Sequence, residues 1–110
     1  MTEEHLAVRG KQEYIICAAI HFDDKVAREG QCVNIKTGYV VAGRRHHNCF
    51  GVSFILKGDT SYLQYEKEQG FITSKDRFVD REEAWIIAFA AGQLPGTPNA
   101  TGTLFSEDLY

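Results

Sequence analysis

The stretch QGFITSKDRFVDREEAWIIAFAAGQ, from Gln69 to Gln93, decides the fold, because it carries the clearest local signals in the chain. Gly70–Thr73 has the composition of a short strand, and Ser74–Arg77 has that of a tight turn. Phe78 and Val79 then form a second short strand. The stretch therefore predicts a hairpin that leads directly into a helix.

This C-terminal helix has clear start and stop signals. Asp80 is a typical N-cap residue, Glu83 stands at the position that completes a capping box, and Gly92 ends the helix. Between them, Ala84–Ala91 (AWIIAFAA) contains no polar residue, whereas a surface helix normally shows a polar stripe. We therefore expect this helix to form the interface of a homo-oligomer. The alternative is that the sheet and the N-terminal tail cover it within one chain.

The upstream segments are less strongly patterned. Tyr14–Phe22 (YIICAAIHF) is typical of a buried strand. Val33–Val41 predicts two short strands about Thr37-Gly38, or one bent strand. His46–Lys57 fits a helix that ends at Gly58, although its apolar residues also allow a strand. Residues 59–68 are polar and predict a loop.

Length and charge indicate one globular domain without a nucleic-acid surface. The chain has 110 residues, and its hydrophobic fraction of 44% is ordinary for such a domain. We assign residues 1–12 to a mobile tail and 13–110 to a single ligand-binding domain. Within it, 96–103 form a flexible linker, and 104–110 form an apolar anchor that docks onto the fold or onto a partner subunit. The net charge of −3 disfavours polymeric DNA or RNA, whose binding needs a basic face.

Cysteine usage and hydropathy predict a cytosolic protein. Cys17, Cys32 and Cys49 are odd in number and contain no CxxC pair, as expected of reduced thiols. The first residues are acidic and lack the apolar region of a signal peptide. No apolar run approaches the roughly 20 residues of a membrane helix. We expect no membrane association.

Arg44 and Arg45 are the strongest candidates for ligand binding. They follow a strand and precede a helix start, where guanidinium groups and helix N–H groups together suit a phosphate or pyrophosphate. The alternative is a solvated surface pair. One of the two histidines that follow, His46 or His47, is expected to donate a hydrogen bond to a ligand or to cap a carbonyl group.

Phe71 is a second candidate, because a ring that follows Gly70 at a strand start can stack on a flat base. The alternative is a core phenylalanine, which the spacing alone favours. His46, His47 and Cys49 resemble half of a zinc site, but no second ligand pair of suitable spacing follows. No nucleophile motif or P-loop is present. We therefore expect no metal, no cofactor and no catalysis.

Four segments together resemble a known family, the small phage proteins that counter the Thoeris defence system of bacteria (the first anti-Thoeris type). The segments are CAAIHFDD (17–24), GRRH (43–46), the stretch from Gln69 to Gln93 and LFSEDLY (104–110). The resemblance covers about half of the chain. It implies an α+β fold with a small antiparallel sheet and two helices, assembled as dimers or larger even oligomers.

The resemblance also implies a function. Such proteins bind an isomer of cyclic ADP-ribose and hold it intact in the host cytoplasm, and some also sequester cyclic oligonucleotides at separate pockets. On this basis the pyrophosphate is expected at Arg44 and Arg45, the adenine at Phe71 and a ribose hydroxyl at Asp80. The remaining predicted ligand-binding residues are His46, Thr73 and Arg77.

Two other functions stay open. A protein-interaction module could block a defence enzyme through the LFSEDLY segment and the apolar helix. A nucleotide-processing enzyme could use His46 or His47 with Asp76 or Asp80 as acid and base.

Overall fold

Four antiparallel strands and two helices form the part of the protein that the computed structural model describes, residues 12–94 and 102–109. In chain order the elements are β1 (Ile15–Phe22), β2 (Tyr39–Gly43), α1 (His46–Lys57), β3 (Glu66–Thr73), β4 (Phe78–Asp80) and α2 (Arg81–Ala90), with 3-10 turns at Ser61–Tyr65 and Ser106–Asp108. The sheet order is β2-β1-β3-β4. The predicted α+β fold is confirmed. The predicted tail (1–12) and linker (96–103) fall almost entirely outside the described residues.

The two faces of the sheet are covered by different parts of the chain. Side chains alternate between the faces along a strand. From β1, Ala18 packs in a cluster with α2, and Ile20 packs in a cluster with α1. Ala19 points the other way and packs with Cys32 of the loop over residues 23–38. Both helices therefore lie on one face, and the long loop covers the other.

The first helix has the predicted bounds, so the alternative of a strand is wrong. The Asn48 side chain accepts a hydrogen bond from the Arg45 N–H at 3.1 Å, which satisfies one donor at the helix start. Gly58 ends α1 in the left-handed conformation (φ 78°) and donates its N–H to the Phe54 carbonyl oxygen at 2.8 Å. Glycine adopts this conformation at little cost.

The second helix also begins as predicted, because Asp80 Oδ1 accepts the Glu83 N–H at 2.8 Å. Only one side of α2 is covered: Ala84 and Ala88 are fully buried, whereas Ile86 is 63% and Phe89 is 55% exposed. The sheet therefore leaves this side of α2 uncovered, and the alternative that the N-terminal tail covers it lies outside the described residues. The oligomer interface stays a prediction.

Two local predictions are wrong. No strand forms over residues 33–38; β2 begins only at Tyr39, after Gly38 turns the chain at φ 86°. Residues 59–68 were predicted to form a loop, but the last of them belong to the first half of β3. Glu66 and Glu68 pair there with β1 through their backbones. Their side chains are exposed, so no apolar pattern marks this half of the strand.

Three amide side chains bond to strand backbones at the edges and ends of the sheet. Asn34 accepts the Phe78 N–H at 2.8 Å and donates to the Phe78 carbonyl at 2.6 Å, on the edge strand β4. Gln31 accepts the Val40 N–H of the other edge strand, β2, at 3.0 Å. Gln93 makes the same pair of bonds as Asn34, at 2.7 and 2.8 Å, to Ile15 where β1 begins. These amides take the place of a neighbouring strand.

A carboxylate–arginine pair fastens the start of the domain to the β3–β4 turn. Glu13 binds Arg77 through two hydrogen bonds of 2.9 and 2.8 Å and also accepts from the hydroxyl of Thr73. The bonds from Arg77 lower the pKa of Glu13 to about 2, although burial opposes the shift. The ionised carboxylate is therefore favoured in the folded state.

We predict that this pair makes stability depend on pH. Because the folded pKa of Glu13 lies below its ordinary value, the contribution is complete above about pH 4.5 and is lost as the pH falls towards 2. Glu13→Gln should lower the free energy of unfolding at pH 7 by about 1–2 kcal/mol, less than the full pKa difference because Arg77 is partly solvated. Urea unfolding from pH 7 to pH 3 measures this, with the exposed Glu29→Gln as control. A loss that does not shrink with falling pH would contradict the assignment.

Candidate functional site

The two helices begin side by side, with His46 as the first residue of α1 and Arg81 as the first residue of α2. The Nη2 atom of Arg81 lies 3.3 Å from His46 Nδ1. The missing side chain of Gly70 allows this arrangement, because a Cβ there would overlap the Val79 carbonyl oxygen of β4. The carbonyl oxygen of Gly70 in turn lies 2.9 Å from His46 Nε2. One glycine therefore brings β4, and hence the start of α2, close to the start of α1.

The contacts of His46 define its protonation. A carbonyl can only accept, so Nε2 carries the proton and donates to Gly70. A guanidinium can only donate, so Nδ1 is unprotonated and accepts from Arg81. Burial, and secondarily the positive charge of Arg81, lowers the pKa of His46. The imidazole is therefore neutral, with both nitrogens engaged.

Arg81 holds three parts of the chain together. Besides His46, its Nη2 donates to Gln69 Oε1 at 3.0 Å, and its Nη1 donates to the Leu104 carbonyl at 3.0 Å. The Leu104 N–H returns a bond to the Arg81 carbonyl at 2.9 Å. The guanidinium carbon also lies 4.9 Å from the ring centre of Phe105. These contacts dock the C-terminal segment, residues 102–109, onto the fold, as predicted for the terminal anchor.

Arg45 contacts the same segment from the other helix. Its Nη1 lies 3.4 Å from the Ser106 hydroxyl and 3.8 Å from a carboxylate oxygen of Glu107. Glu107 itself is largely exposed, with 71% of its side chain accessible. The guanidinium of Arg45 therefore already lies next to an anion at the surface. Arg44, one residue earlier, is exposed at the connection between β2 and α1.

Two grooves meet next to these residues. The arginine groove, of about 310 Å³, is lined by Glu68, Gln69, Asp80, Arg81, Glu82 and Thr103. The lysine groove, of about 470 Å³, opens on the loop-covered face. It is lined by His21 and by the charged residues Asp23, Lys25, Lys36, Lys67, Glu68, Asp80 and Glu83. Both are lined by Glu68 and Asp80, so they adjoin across these two carboxylates. Their volumes suit a small molecule.

The predicted site residues fall into two groups. Arg45 and His46 meet at the helix starts, with Arg44 beside them, and Asp80 lines both grooves while capping α2. Thr73 and Arg77 lie at the β3–β4 turn, where both bind Glu13. The structure does not place this second group beside Arg45, His46 and Arg81.

The prediction that the ring of Phe71 is presented to a ligand is wrong. Phe71 is fully buried, at 0% exposure, and packs against Ala18 and Leu104. The His46 ring meets it edge-on, at 5.2 Å between ring centres. Phe71 is therefore a core residue, which was the alternative considered from its spacing. Its ring packs against the ring of His46. The exposed ring in this region is that of Phe105 (45%).

Sequence reasoning missed Arg81 and Gln69. Arg81 follows the Asp80 cap directly, and every first residue of a helix lies near its positive end. The position of Arg81 at a helix start was therefore a usable signal for an anion-binding residue. No sequence signal indicated Gln69, because its role depends on a contact with Arg81 that only the folded chain creates.

The described residues contain no group of three or more metal-binding side chains arranged around one point. Cys49 is fully buried, and burial raises the pKa of its thiol to about 11. A thiol that stays protonated is a poor nucleophile. No described helix has the length and hydropathy needed to cross a membrane.

The fold and the site together define a small α+β protein with an arginine–histidine cluster at paired helix starts. The chain belongs to the phage T4 y16D protein family, whose model matches residues 14–110, and it is therefore a phage-type protein. Searches of curated proteins and of solved structures find no match.

We predict that Arg81 holds the C-terminal segment in place. Arg81→Ala removes the bond to Leu104 and the contact with Phe105, and bonds from a charged donor are worth about 1.5–3 kcal/mol. Amide hydrogen exchange over residues 104–109 should accelerate by about tenfold or more. Hydrogen-exchange mass spectrometry measures this, with Arg28→Ala as a control, since Arg28 pairs with Asp24 in the long loop. Equal exchange in both variants would show that Leu104 packing alone holds the segment.

Proposed function

We propose that the protein is a non-catalytic binder that sequesters a small cyclic nucleotide of the cyclic ADP-ribose type. It would hold this immune signal intact in the cytoplasm of the host bacterium and so block an anti-phage defence. The observation that carries the proposal is the convergence of Arg45, His46 and Arg81 at two adjacent helix starts, beside the arginine groove.

The chemistry of this site fits the parts of such a ligand. A pyrophosphate is bound well by guanidinium groups, which Arg45 and Arg81 supply, with Arg44 exposed nearby. Ribose hydroxyls need acceptors, and the carboxylates of Glu68 and Asp80 line the grooves. Phe71 is buried, so the exposed ring of Phe105 takes over its proposed role as the flat partner of the adenine.

A binder of this kind needs affinity and a slow off-rate, but no acid, base or nucleophile. Both ring nitrogens of His46 are already hydrogen-bonded, which favours a positioning role over proton transfer. The cyclic oligonucleotides that the family resemblance suggests would occupy the adjoining lysine groove, whose three lysines suit further phosphates.

A second candidate function is direct inhibition of a defence enzyme through protein contacts. The exposed apolar residues on both helices favour it, because such patches mark interaction sites. It predicts a stable complex with a protein and no retention of nucleotides.

The deciding experiment is ligand recovery. The purified protein is incubated with cyclic ADP-ribose isomers, separated from free ligand and heat-denatured, and the supernatant is analysed by mass spectrometry. Intact ligand in stoichiometric amounts supports sequestration. A converted product supports an enzyme, and the absence of retained ligand supports the protein-interaction function.

We predict that Arg45→Ala weakens binding of the retained isomer by about 10- to 100-fold, the value of one charged hydrogen bond. Isothermal titration calorimetry measures the dissociation constant. Glu107→Gln is the matched control, because it removes the ion pair between Arg45 and Glu107 but keeps the guanidinium and its contact with Ser106. If both variants lose affinity equally, Arg45 acts only through its ion pair with Glu107. Unchanged affinity of Arg45→Ala would contradict the site.

We further propose that α2 forms a homo-oligomer interface through its exposed side. Trp85 packs against the core, so the sharper substitution is Ile86→Asp, at a residue that is 63% exposed in the single chain. We predict a smaller assembly in sedimentation velocity with an unchanged circular dichroism spectrum, since a charge is costly in an apolar interface. An unaltered sedimentation profile would refute this interface.

A further inference from the structure

The arginine groove carries more negative than positive charge. Among the described residues, its lining includes three exposed carboxylates, those of Glu68, Asp80 and Glu82, but a single guanidinium, that of Arg81. The other lining residues are neutral. A groove adapted only to attract phosphate groups would have the opposite balance. The charge of this lining therefore limits which anions the groove can accept.

The start of α2 does not offset this negative charge. Asp80 caps the helix by accepting the Glu83 N–H at 2.8 Å, and Glu82 lies in the first turn. Carboxylates at these positions complement the positive end of the helix dipole. The dipole is therefore already balanced by groups of the protein itself, and it adds little attraction for a further anion.

Arg81 has a limited capacity for a ligand. A guanidinium has five N–H donors, and the bonds to Leu104, Gln69 and His46 use three of them. Because these three acceptors are neutral, Arg81 keeps its positive charge, but at most two of its donors remain for a ligand. Arg81 is therefore suited to an anion of low charge rather than to a densely charged one.

From this balance we propose that Glu68 and Glu82 determine which nucleotides the site accepts. They repel a nucleotide that ends in a free phosphate, and they accept one whose pyrophosphate is esterified to a sugar on each side. A terminal phosphate carries about 1.5–2 negative charges at pH 7, and its oxygens act mainly as acceptors, as those of the carboxylates do. A sugar in that place removes part of the charge and supplies hydroxyl donors to the same carboxylates. The inference rests on the proposed function and names the class of ligand for that site.

Such discrimination matters for a protein that acts by stoichiometric binding. Nucleoside di- and triphosphates share adenosine and a pyrophosphate with a ligand of the cyclic ADP-ribose type, so arginine contacts and base stacking do not distinguish them. Discrimination between similar ligands often depends on a repulsive group. Glu68 and Glu82 can be replaced to test this, whereas a substitution of Asp80 would also remove the cap of α2.

The test compares the dissociation constants of ADP and ADP-ribose for the full chain by isothermal titration calorimetry. EDTA is present, because Mg²⁺ would bind and partly neutralise the phosphates. The wild type should bind ADP-ribose more tightly than ADP. Glu68→Gln and Glu82→Gln should each reduce this preference by about two- to fivefold, the range for exposed charge pairs, through tighter binding of ADP. Glu29→Gln removes the same charge from the exposed long loop and should leave the preference unchanged.

Salt supplies a second measurement that needs no substitution. When the salt concentration rises from about 0.05 to about 0.5 M, interactions between exposed charges are screened. Because the preference is expected to come from repulsion of ADP, it should shrink in the wild type. A site that only attracts negative charge would show the opposite change, since it would lose ADP faster than ADP-ribose.

Circular dichroism establishes that the variants are folded. The proposal is overturned if folded Glu68→Gln and Glu82→Gln keep the wild-type preference, if Glu29→Gln reduces it equally, or if the wild type binds neither probe. Recovery of an intact cyclic isomer together with an unchanged preference would refute this selection by charge and leave the proposed function standing. A preference for ADP-ribose that depends on Glu68 and Glu82, without retention of a cyclic isomer, would support the selection and refute the proposed function.

Discussion

The close approach of β3 and β4 at Gly70 is the constraint on which the arrangement of this protein depends. Any side chain there would overlap the Val79 carbonyl oxygen, so the last residues of β4 could not lie where they do. Because β4 runs directly into α2, this contact also sets the start of that helix. The carbonyl oxygen of the same glycine accepts the bond from His46 at the start of α1. One residue without a side chain thus positions both helices and the cluster between them.

Arg45 and Arg81 have a structural role in addition to the binding role proposed for them. Arg45 and Arg81 both contact the C-terminal segment, Arg81 through the backbone of Leu104 and Arg45 through Ser106 and Glu107. A ligand with two phosphates would compete with Glu107 for Arg45, but not with the backbone bonds of Arg81. The two arginines therefore have different positions in the proposed mechanism: one can exchange an internal anion for a ligand, while the other keeps the segment attached.

An element of this fold could be predicted from sequence when the interactions that form it lie within a short stretch of the chain. Asp80 and Gly92 act within their own helix, so both ends of α2 were predictable, and His46–Lys57 followed from its own stop signal. The first half of β3 was not, because its backbone pairs with β1 while Glu66 and Glu68 point to solvent. At the site, the helix-start position of Arg45 and His46 was readable. The contact between His46 and Arg81, 35 residues apart, is a tertiary fact that spacing does not contain, whereas spacing alone already favoured the core position of Phe71.

The amide side chains on the strand edges have a consequence for how the protein behaves when it is abundant. A protein that acts by stoichiometric binding, as proposed for this one, must accumulate to high copy number without precipitating. Open sheet edges would invite runaway strand-by-strand growth of fibrils. On β2 and β4, Gln31 and Asn34 already occupy backbone groups that such growth would use. These bonds therefore oppose growth through the sheet edges when the protein is concentrated.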